Sequence, residues 1–378
     1  MTTDAILAKV RSQEKWIHSR LRDLVLQESP SEDPASINAA GRLVEAWAKE
    51  LGGKSRWHRQ KNFGDVLELR FGSSRSTQKP VLLLGHLDTV WSLGTLKSMP
   101  WHEAQGKFFG PGVLDMKAGV VMALAAVGVL RDLKLTRPVI LLLNSDEEIG
   151  STVSRPITER LAKESSAVFV LEPAQVLAYK TARKGVGHYT VRVTGVSAHA
   201  GVDFQRGHSA VLELAKLIQT ISNFTDLKRG LTVNCGVIAG GTRSNVIASE
   251  AHAEVDVRIA RASDAALVQR LFRKLKVSDK ACKLEITGGI NRPPMERKTG
   301  TIALFKQAQK LAAQLGFDLD EAATGGGSDG NFTAALGIPT LDGMGAVGEG
   351  AHAAHENIVV EHLIPRTALL AAMIAGTT

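Results

Sequence analysis

The chain of 378 residues has little cysteine, little tyrosine (two of each) and only 5% aromatic residues. Cys235 and Cys282 cannot build a disulfide framework or a thiolate metal cluster. Each sits in an apolar, strand-like stretch, where a thiol serves as a small core residue. The N-terminal segment Met1 to Ile17 carries charges throughout and lacks the uninterrupted apolar run of a signal peptide. The longest apolar stretch, Gly119 to Leu130, is too short to cross a bilayer and suits a buried helix. A cytoplasmic protein with no membrane partner is the expectation.

What is present is an ordinary globular composition, 44% hydrophobic, at a length that suggests roughly two to three domains. The net charge of +8 invites a nucleic-acid reading, but its distribution argues against one. From Lys184 to Arg292 there are 16 Lys and Arg against 9 Asp and Glu, a local excess of +7, so one segment holds nearly all of it. The aromatic interleaving of a single-strand-binding groove is missing. The run Arg270, Arg273, Lys274, Lys276, Lys280 and Lys283 reads as the solvated face and exit of one helix. No nucleic-acid partner is expected.

That basic segment has its own periodicity. His188 to Gly195 alternates as a strand, Ser209 to Ile221 is helical, Leu231 to Ala239 and Ala251 to Ile259 read as strands, Ser263 to Leu275 as a helix and Ala281 to Thr287 as a strand. The order is βαββαβ, a ferredoxin-like split pattern. The expected fold is α/β, with a central mixed sheet in a discontinuous domain of residues 1–183 and 293–378 interrupted by an insert of residues 184–292. Helices at Ala5 to Leu26, Met116 to Leu130, Ile302 to Leu315 and Leu363 to Ile374 would cover the main sheet.

Three apolar runs deliver polar residues. Val81 to Leu84 leads to Gly85-His86-Leu87-Asp88, Pro138 to Leu143 leads to Asp146-Glu147-Glu148, and Ala167 to Leu171 leads to Glu172-Pro173. In open α/β sheets the site lies beyond the carboxyl ends of the strands. Taken singly these signals are weak. A histidine after a strand is ordinarily structural, Asp115 in its glycine-rich turn could cap the following helix, and Glu147-Glu148 could be a surface acidic pair. Asp88 strengthens the case, because an acid two residues after His86 can return to the imidazole N–H and fix its tautomer. In Glu147-Glu148 adjacent side chains diverge, so one can hold a metal while the other faces water. His352 and His355 could form a helical pair, or one of them could act alone. Jointly, His86, Asp115, Glu148, Glu172 and His352 offer five oxygen and nitrogen ligands and no sulfur, a set that suits a pair of Zn²⁺ ions and outlines a two-metal hydrolase.

The chain resembles the M20 family of metallopeptidases, and within it the glutamate carboxypeptidase branch. The motifs that carry the resemblance are Gly85-His86-Leu87-Asp88-Thr89-Val90, Gly110-Pro111-Gly112 with Asp115-Met116-Lys117, Asp146-Glu147-Glu148-Ile149-Gly150, Leu171-Glu172-Pro173, Gly325-Gly326-Gly327-Ser328-Asp329 and Gly350-Ala351-His352. The resemblance implies two Zn²⁺ per subunit bridged by Asp115, with His86 and Glu172 on one ion and Glu148 and His352 on the other. It implies Glu147 as general base, Asp88 as the residue that orients His86, and a cis peptide at Asp115-Met116. It favours His352, which an acid follows at Glu356, over His355. The insert resembles the family's dimerisation or lid domain, which implies a homodimer in which His199 enters the partner's site and stabilises the oxyanion. Asn245 and Arg258 match positions that hold a substrate's terminal carboxylate, and Arg292 and the glycine loop at Gly326 match more loosely. Glu172, where the family's aminopeptidases tend to carry Asp, favours a carboxypeptidase or N-acyl-amino-acid hydrolase. The positive insert, with Arg243, Arg258 and Arg292, points to an anionic product, glutamate first. A deacylase of the same chemistry and a catalytically silent amino-acid-conjugate binder are the alternative readings.

Overall fold

The computed structural model describes residues 2–72, 76–134 and 137–377. The chain divides into two compact units. One runs to Ala182 and resumes over Arg297–Ala323 and from Ser328 onward; the other holds Arg183–Glu296 and Thr324–Gly327. The insert is thus a few residues longer than its periodicity implied, and the glycine loop at Gly326 belongs with it.

The first unit is built on a six-stranded mixed sheet in the order Lys54–His58, Val66–Phe71, Val139–Asn144, Val81–His86, Ala167–Val170, Thr340–Leu341. The last four run parallel to one another. Strands covered on both faces must be apolar throughout, and Val81–His86 and Val139–Asn144 are buried at every position. Alternate side chains serve opposite layers. Leu83, Leu141 and Phe169 join a core with the helices Ala118–Asp132 and Leu363–Gly376, while Leu82, Leu84, Ile140 and Val168 pack with Leu161 and Ala162 on the other face. The segment Val113–Asp132 is long and apolar enough to cross a membrane by composition alone, yet it is 94% buried within the unit. The helix expected over Ala5 to Leu26 is two, Thr3–Arg11 and Glu14–Leu26.

Register sets the chemistry. His86 lies opposite Asn144 and Leu84 opposite Val170, so three adjacent parallel strands end level with one another and release their loops side by side. A second, four-stranded sheet is made of very short pieces, Gly348–Glu349, Asn357–Val359, Lys107–Phe109 and His102–Ala104. It pairs Asn357 with Phe109 and so lays the 110–115 loop beside the 350–356 loop.

The second unit is an antiparallel sheet in the order Thr232–Gly240, Glu250–Ile259, Gly185–Thr194, Lys283–Arg292. With the helices Ala210–Ser222 and Asp264–Arg273 it follows the βαββαβ order of the sequence pattern. Alternation is strict in Glu250–Ile259, where Ala251, Ala253, Val255, Val257 and Ile259 are buried in one cluster with both helices.

Candidate metal centre

His86 closes its strand 2% exposed. Its Nδ1 lies 2.9 Å from the backbone carbonyl of Asp88. A carbonyl only accepts, so Nδ1 donates and Nε2 keeps its lone pair facing the site. The Asp88 carboxylate stands farther from Nδ1, at 3.4 Å. Its oxygens accept the backbone N–H groups of Glu147 (3.2 Å) and Glu148 (3.1 Å) and the Ser31 hydroxyl (2.9 Å). Asp88 therefore orients His86 through its main chain, a difference from the carboxylate contact expected from sequence, while its side chain fixes the loop that carries the two glutamates.

Asp115 lies between two histidines. Oδ1 is 3.2 Å from His86 Nε2 and Oδ2 is 3.4 Å from His352 Nε2. The Asp115-Met116 peptide is cis. Around this axis, Glu172 Oε1 is 3.7 Å from His86 Nε2, and Glu148 Oε2 is 3.2 Å from His352 Nε2. Donor atoms of His86, Asp115 and Glu148 lie within 4.8 Å of one another, as do those of His86, Glu147 and Glu172. His352 adopts a left-handed backbone, φ 64°, uncommon for a residue with a Cβ and characteristic of functional sites. Of the two histidines in that loop it is His352 that reaches Asp115 and Glu148.

The electrostatics are those of a site built for cations. Burial alone would lower the His86 pKa, but the carboxylates of Asp115, Asp88 and Glu172 hold it well above the usual range. Asp115 and Glu148 push His352 up to about 10. Burial opposes ionisation of Asp115, yet His352 and His86 keep its carboxyl well below the ordinary range. Glu148, raised by burial, leaves Oε1 buried without a hydrogen-bond partner. Carboxylates that draw protons onto two imidazoles, with a buried oxygen still unsatisfied, match the donor chemistry of divalent ions bound by nitrogen and oxygen.

Residues without an assigned role in the sequence reading hold this geometry. Glu356 is fully buried and accepts four hydrogen bonds: Oε1 from the N–H of Leu114 (2.8 Å) and Asp115 (3.0 Å), Oε2 from the N–H of Gly112 (2.9 Å) and from Trp91 Nε1 (2.8 Å). Asp329 accepts from Asn144 Nδ2 (2.6 Å) and from the Ser151 hydroxyl, clamping both ends of the loop that bears Glu147 and Glu148. Glu356 follows His352 by four residues and Asp329 closes the glycine-rich motif that begins at Gly325, but spacing alone does not say what a buried acid will grip.

The sequence profile of Peptidase family M20/M25/M40 matches residues 82–376, a span that contains every residue of this centre. The chain belongs to that family. Carboxypeptidase G2 of Pseudomonas sp. (strain RS-16) is 31% identical over 363 residues, 93% of this chain and 86% of that protein. Acetylornithine deacetylase of Myxococcus xanthus is 29% identical over 188 residues, 47% of this chain and 48% of that one. The crystal structure of aminopeptidase PepT from Bacillus cereus ATCC 10987 superposes with a TM-score of 0.80 at 21% identity, covering 96% of this chain and 98% of the other. This M20 chain is accordingly a hydrolase of the metallo-carboxypeptidase and amidohydrolase type.

The remaining residues singled out in this M20 peptidase lie in the second unit. His199 is exposed, and its Nδ1 accepts the Gly201 N–H at 3.1 Å, which leaves the Nε2 proton outward as a donor. Asn245 stands beside it, because its carbonyl accepts the Ala200 N–H at 3.0 Å. Arg258 is engaged by Asp256 through Nε and Nη2 at 2.8 to 3.1 Å and reaches the Gly325 carbonyl at 3.3 Å. Arg183, which the sequence reading passed over, donates to the carbonyls of Gly326 (3.3 Å) and Gly327 (3.1 Å). Buried Arg292 packs on Gly327, where a Cβ would come within 3.0 Å of its Cδ. Three guanidinium groups thus gather at the glycine loop.

Proposed function

We propose that this hydrolase is a dinuclear zinc carboxypeptidase that cleaves the amide between an acyl or peptidyl group and a C-terminal amino acid, glutamate first. The observation that carries the reading is Asp115 set between His86 and His352, with Glu172 and Glu148 on the two flanks. In this reading His86, Asp115 and Glu172 hold one Zn²⁺ and Asp115, Glu148 and His352 the other. When bound, such ions supply Lewis acidity to an amide carbonyl and lower the pKa of water.

The chain's own groups do the rest. Glu147, whose carboxylate lies within 4.8 Å of the donor atoms of His86 and Glu172, takes the proton of the attacking water and delivers it to the leaving amine. Asp88 keeps Glu147 in place through its main-chain N–H. In a homodimer, His199 of a second copy donates Nε2–H to the developing oxyanion, and the tautomer imposed by Gly201 supports that role. Arg258, Arg292 and Asn245, with the loop at Gly326, form the carboxylate-holding side. Arg258 must loosen from Asp256 to take part. The arginines gathered at that loop favour an anionic product end.

Metal analysis of the purified protein, beside hydrolysis of an N-acyl-glutamate panel before and after chelation, tests the proposal. About two zinc per chain with chelator-sensitive release of glutamate is expected. Full metal occupancy without turnover on acyl-glutamates redirects the site to the second reading, an N-acyl-amino-acid deacylase, which the similarity to acetylornithine deacetylase favours.

A further inference from the structure

All six cations of the insert's basic run are exposed, and the run also borders a cavity. Arg273, Lys276 and Lys280 turn toward a cavity of about 670 Å³ on the second unit, within the size range of small-molecule sites. The remaining cations of that run, Arg270, Lys274 and Lys283, do not line it.

The cavity follows from local structure. The helix Asp264–Arg273 ends before it covers the edge strand Lys283–Arg292. On that strand Leu284 and Ile286 contribute side chains to the floor, but the next position on the same face is Gly288, opposite Tyr189. Gly288 has φ 100°, and a Cβ there would meet the His188 carbonyl oxygen at 2.1 Å, so no side chain can fill the gap. Tyr189 and Phe272 close its base, 4% and 2% exposed. Tyr189 and Phe272 stack with ring centroids 3.9 Å apart and planes 3° from parallel, and Cys282, 5% exposed, lies beside them.

The rim is cationic and its charge is uncompensated. Among the described residues, Arg273, Lys276 and Lys280 form no ion pair, and no acid lines the cavity. The nearby carboxylates are committed elsewhere. Glu213 accepts from Lys216 Nζ (2.6 Å) and from the Ser278 N–H (2.5 Å) and hydroxyl, Asp279 is held by His208 Nδ1 (2.7 Å), and Glu285 alternates with Leu284 and Ile286 and so lies on the other face of the strand. The Glu213 and His208 contacts also fix the turn 277–281, so Lys276 precedes the tethered segment and Lys280 lies within it.

We propose that this cavity binds an amphipathic anion, an apolar acyl body on the Tyr189–Phe272 floor with a single carboxylate head among Arg273, Lys276 and Lys280. It shares no residue with the candidate metal centre. Calorimetric titration of the full-length metal-loaded protein with decanoate, and with decanol as the uncharged control, tests it. Saturable binding of one decanoate per chain is expected, with decanol at least about tenfold weaker, since charge pairing supplies discrimination of that order. The double variant K276E/K280E should lose about tenfold or more in decanoate affinity, and Ile286→Trp, which fills the floor, should lose saturable binding. Both variants should retain the wild-type melting temperature and amide turnover. Equal affinity for decanoate and decanol, decanoate affinity that survives both variants, or no saturable binding to the wild type would overturn the proposal.

Discussion

Glu356 illustrates how much of a metal site lies one layer behind its ligands. It touches no proposed ion, yet it satisfies the N–H groups of Gly112, Leu114 and Asp115 and an indole. Glu356→Ala would strand those donors in a buried place, and supporting contacts of this kind typically govern metal affinity by about 10- to 100-fold. A zinc titration with a competing chelator should show a loss of that order, and unchanged affinity would mean the loop holds itself. Glu147 behaves in the opposite way. Glu147→Ala should lower turnover by about 10²- to 10⁴-fold with zinc content retained, and parallel loss of zinc and activity would make Glu147 a ligand instead. His86, Asp88, Asp115, Glu148 and Glu172 were readable because each follows an apolar run or glycine turn. Glu356, Asp329 and Arg183 were not, because their partners are backbone groups or distant side chains that no spacing encodes.

At the scale of elements, the strands that end at the site were legible for a simple physical reason. Val81–His86, Val139–Asn144 and Ala167–Val170 are covered on both faces, so they are continuous apolar runs. The small sheet that sets Asp115 against His352 was invisible. Its strands are two or three residues long, partly exposed, and joined across some 250 positions of chain. The break after Arg11 in the helix expected over residues 5–26 was not legible, because the charged surface continues across the joint without a stop signal. Packing at the strand ends is tight. A Cβ on Gly119 would lie 2.1 Å from the Leu171 carbonyl oxygen, and one on Gly345 would lie 2.2 Å from the same atom. Gly119→Val should therefore destabilise the first unit by about 1–3 kcal/mol, the usual range for overpacking, as read by denaturant unfolding. A neutral result would mean the helix Ala118–Asp132 can slide away from residue 171.

In the second unit, Glu213 ties the helix Ala210–Ser222 to the turn at Ser278. Burial would raise the Glu213 pKa, but Lys216 and the hydroxyl and N–H of Ser278 hold its carboxyl down to about 2, from an ordinary 4.5. A depressed folded-state pKa stabilises above the unfolded value and loses that stability as pH falls through the folded one. The difference in unfolding free energy between the wild type and Glu213→Gln should be constant above about pH 5 and shrink toward pH 2, with a full size of about 1–3 kcal/mol. A difference that does not depend on pH would assign Glu213 a packing role only.

For the whole molecule, the edge strand Thr232–Gly240 leaves Val237 and Ile238 more than half exposed, and Leu212 on the helix beside it is exposed likewise. An unpaired edge with an apolar flank is a template for a second copy, which supports the proposed homodimer. Ile238→Asp should shift the mass measured by light scattering from dimer to monomer and remove turnover while zinc content persists. A monomeric variant with full activity would release His199 from any role across subunits. The grip of Glu356 on residues 112 to 115 has a further consequence, one of timing. During synthesis, the proposed ligands His86, Asp115, Glu148 and Glu172 are all made before the segment that supplies His352 and Glu356. The order of synthesis alone therefore keeps the proposed site incomplete until residues 352 and 356 have been made.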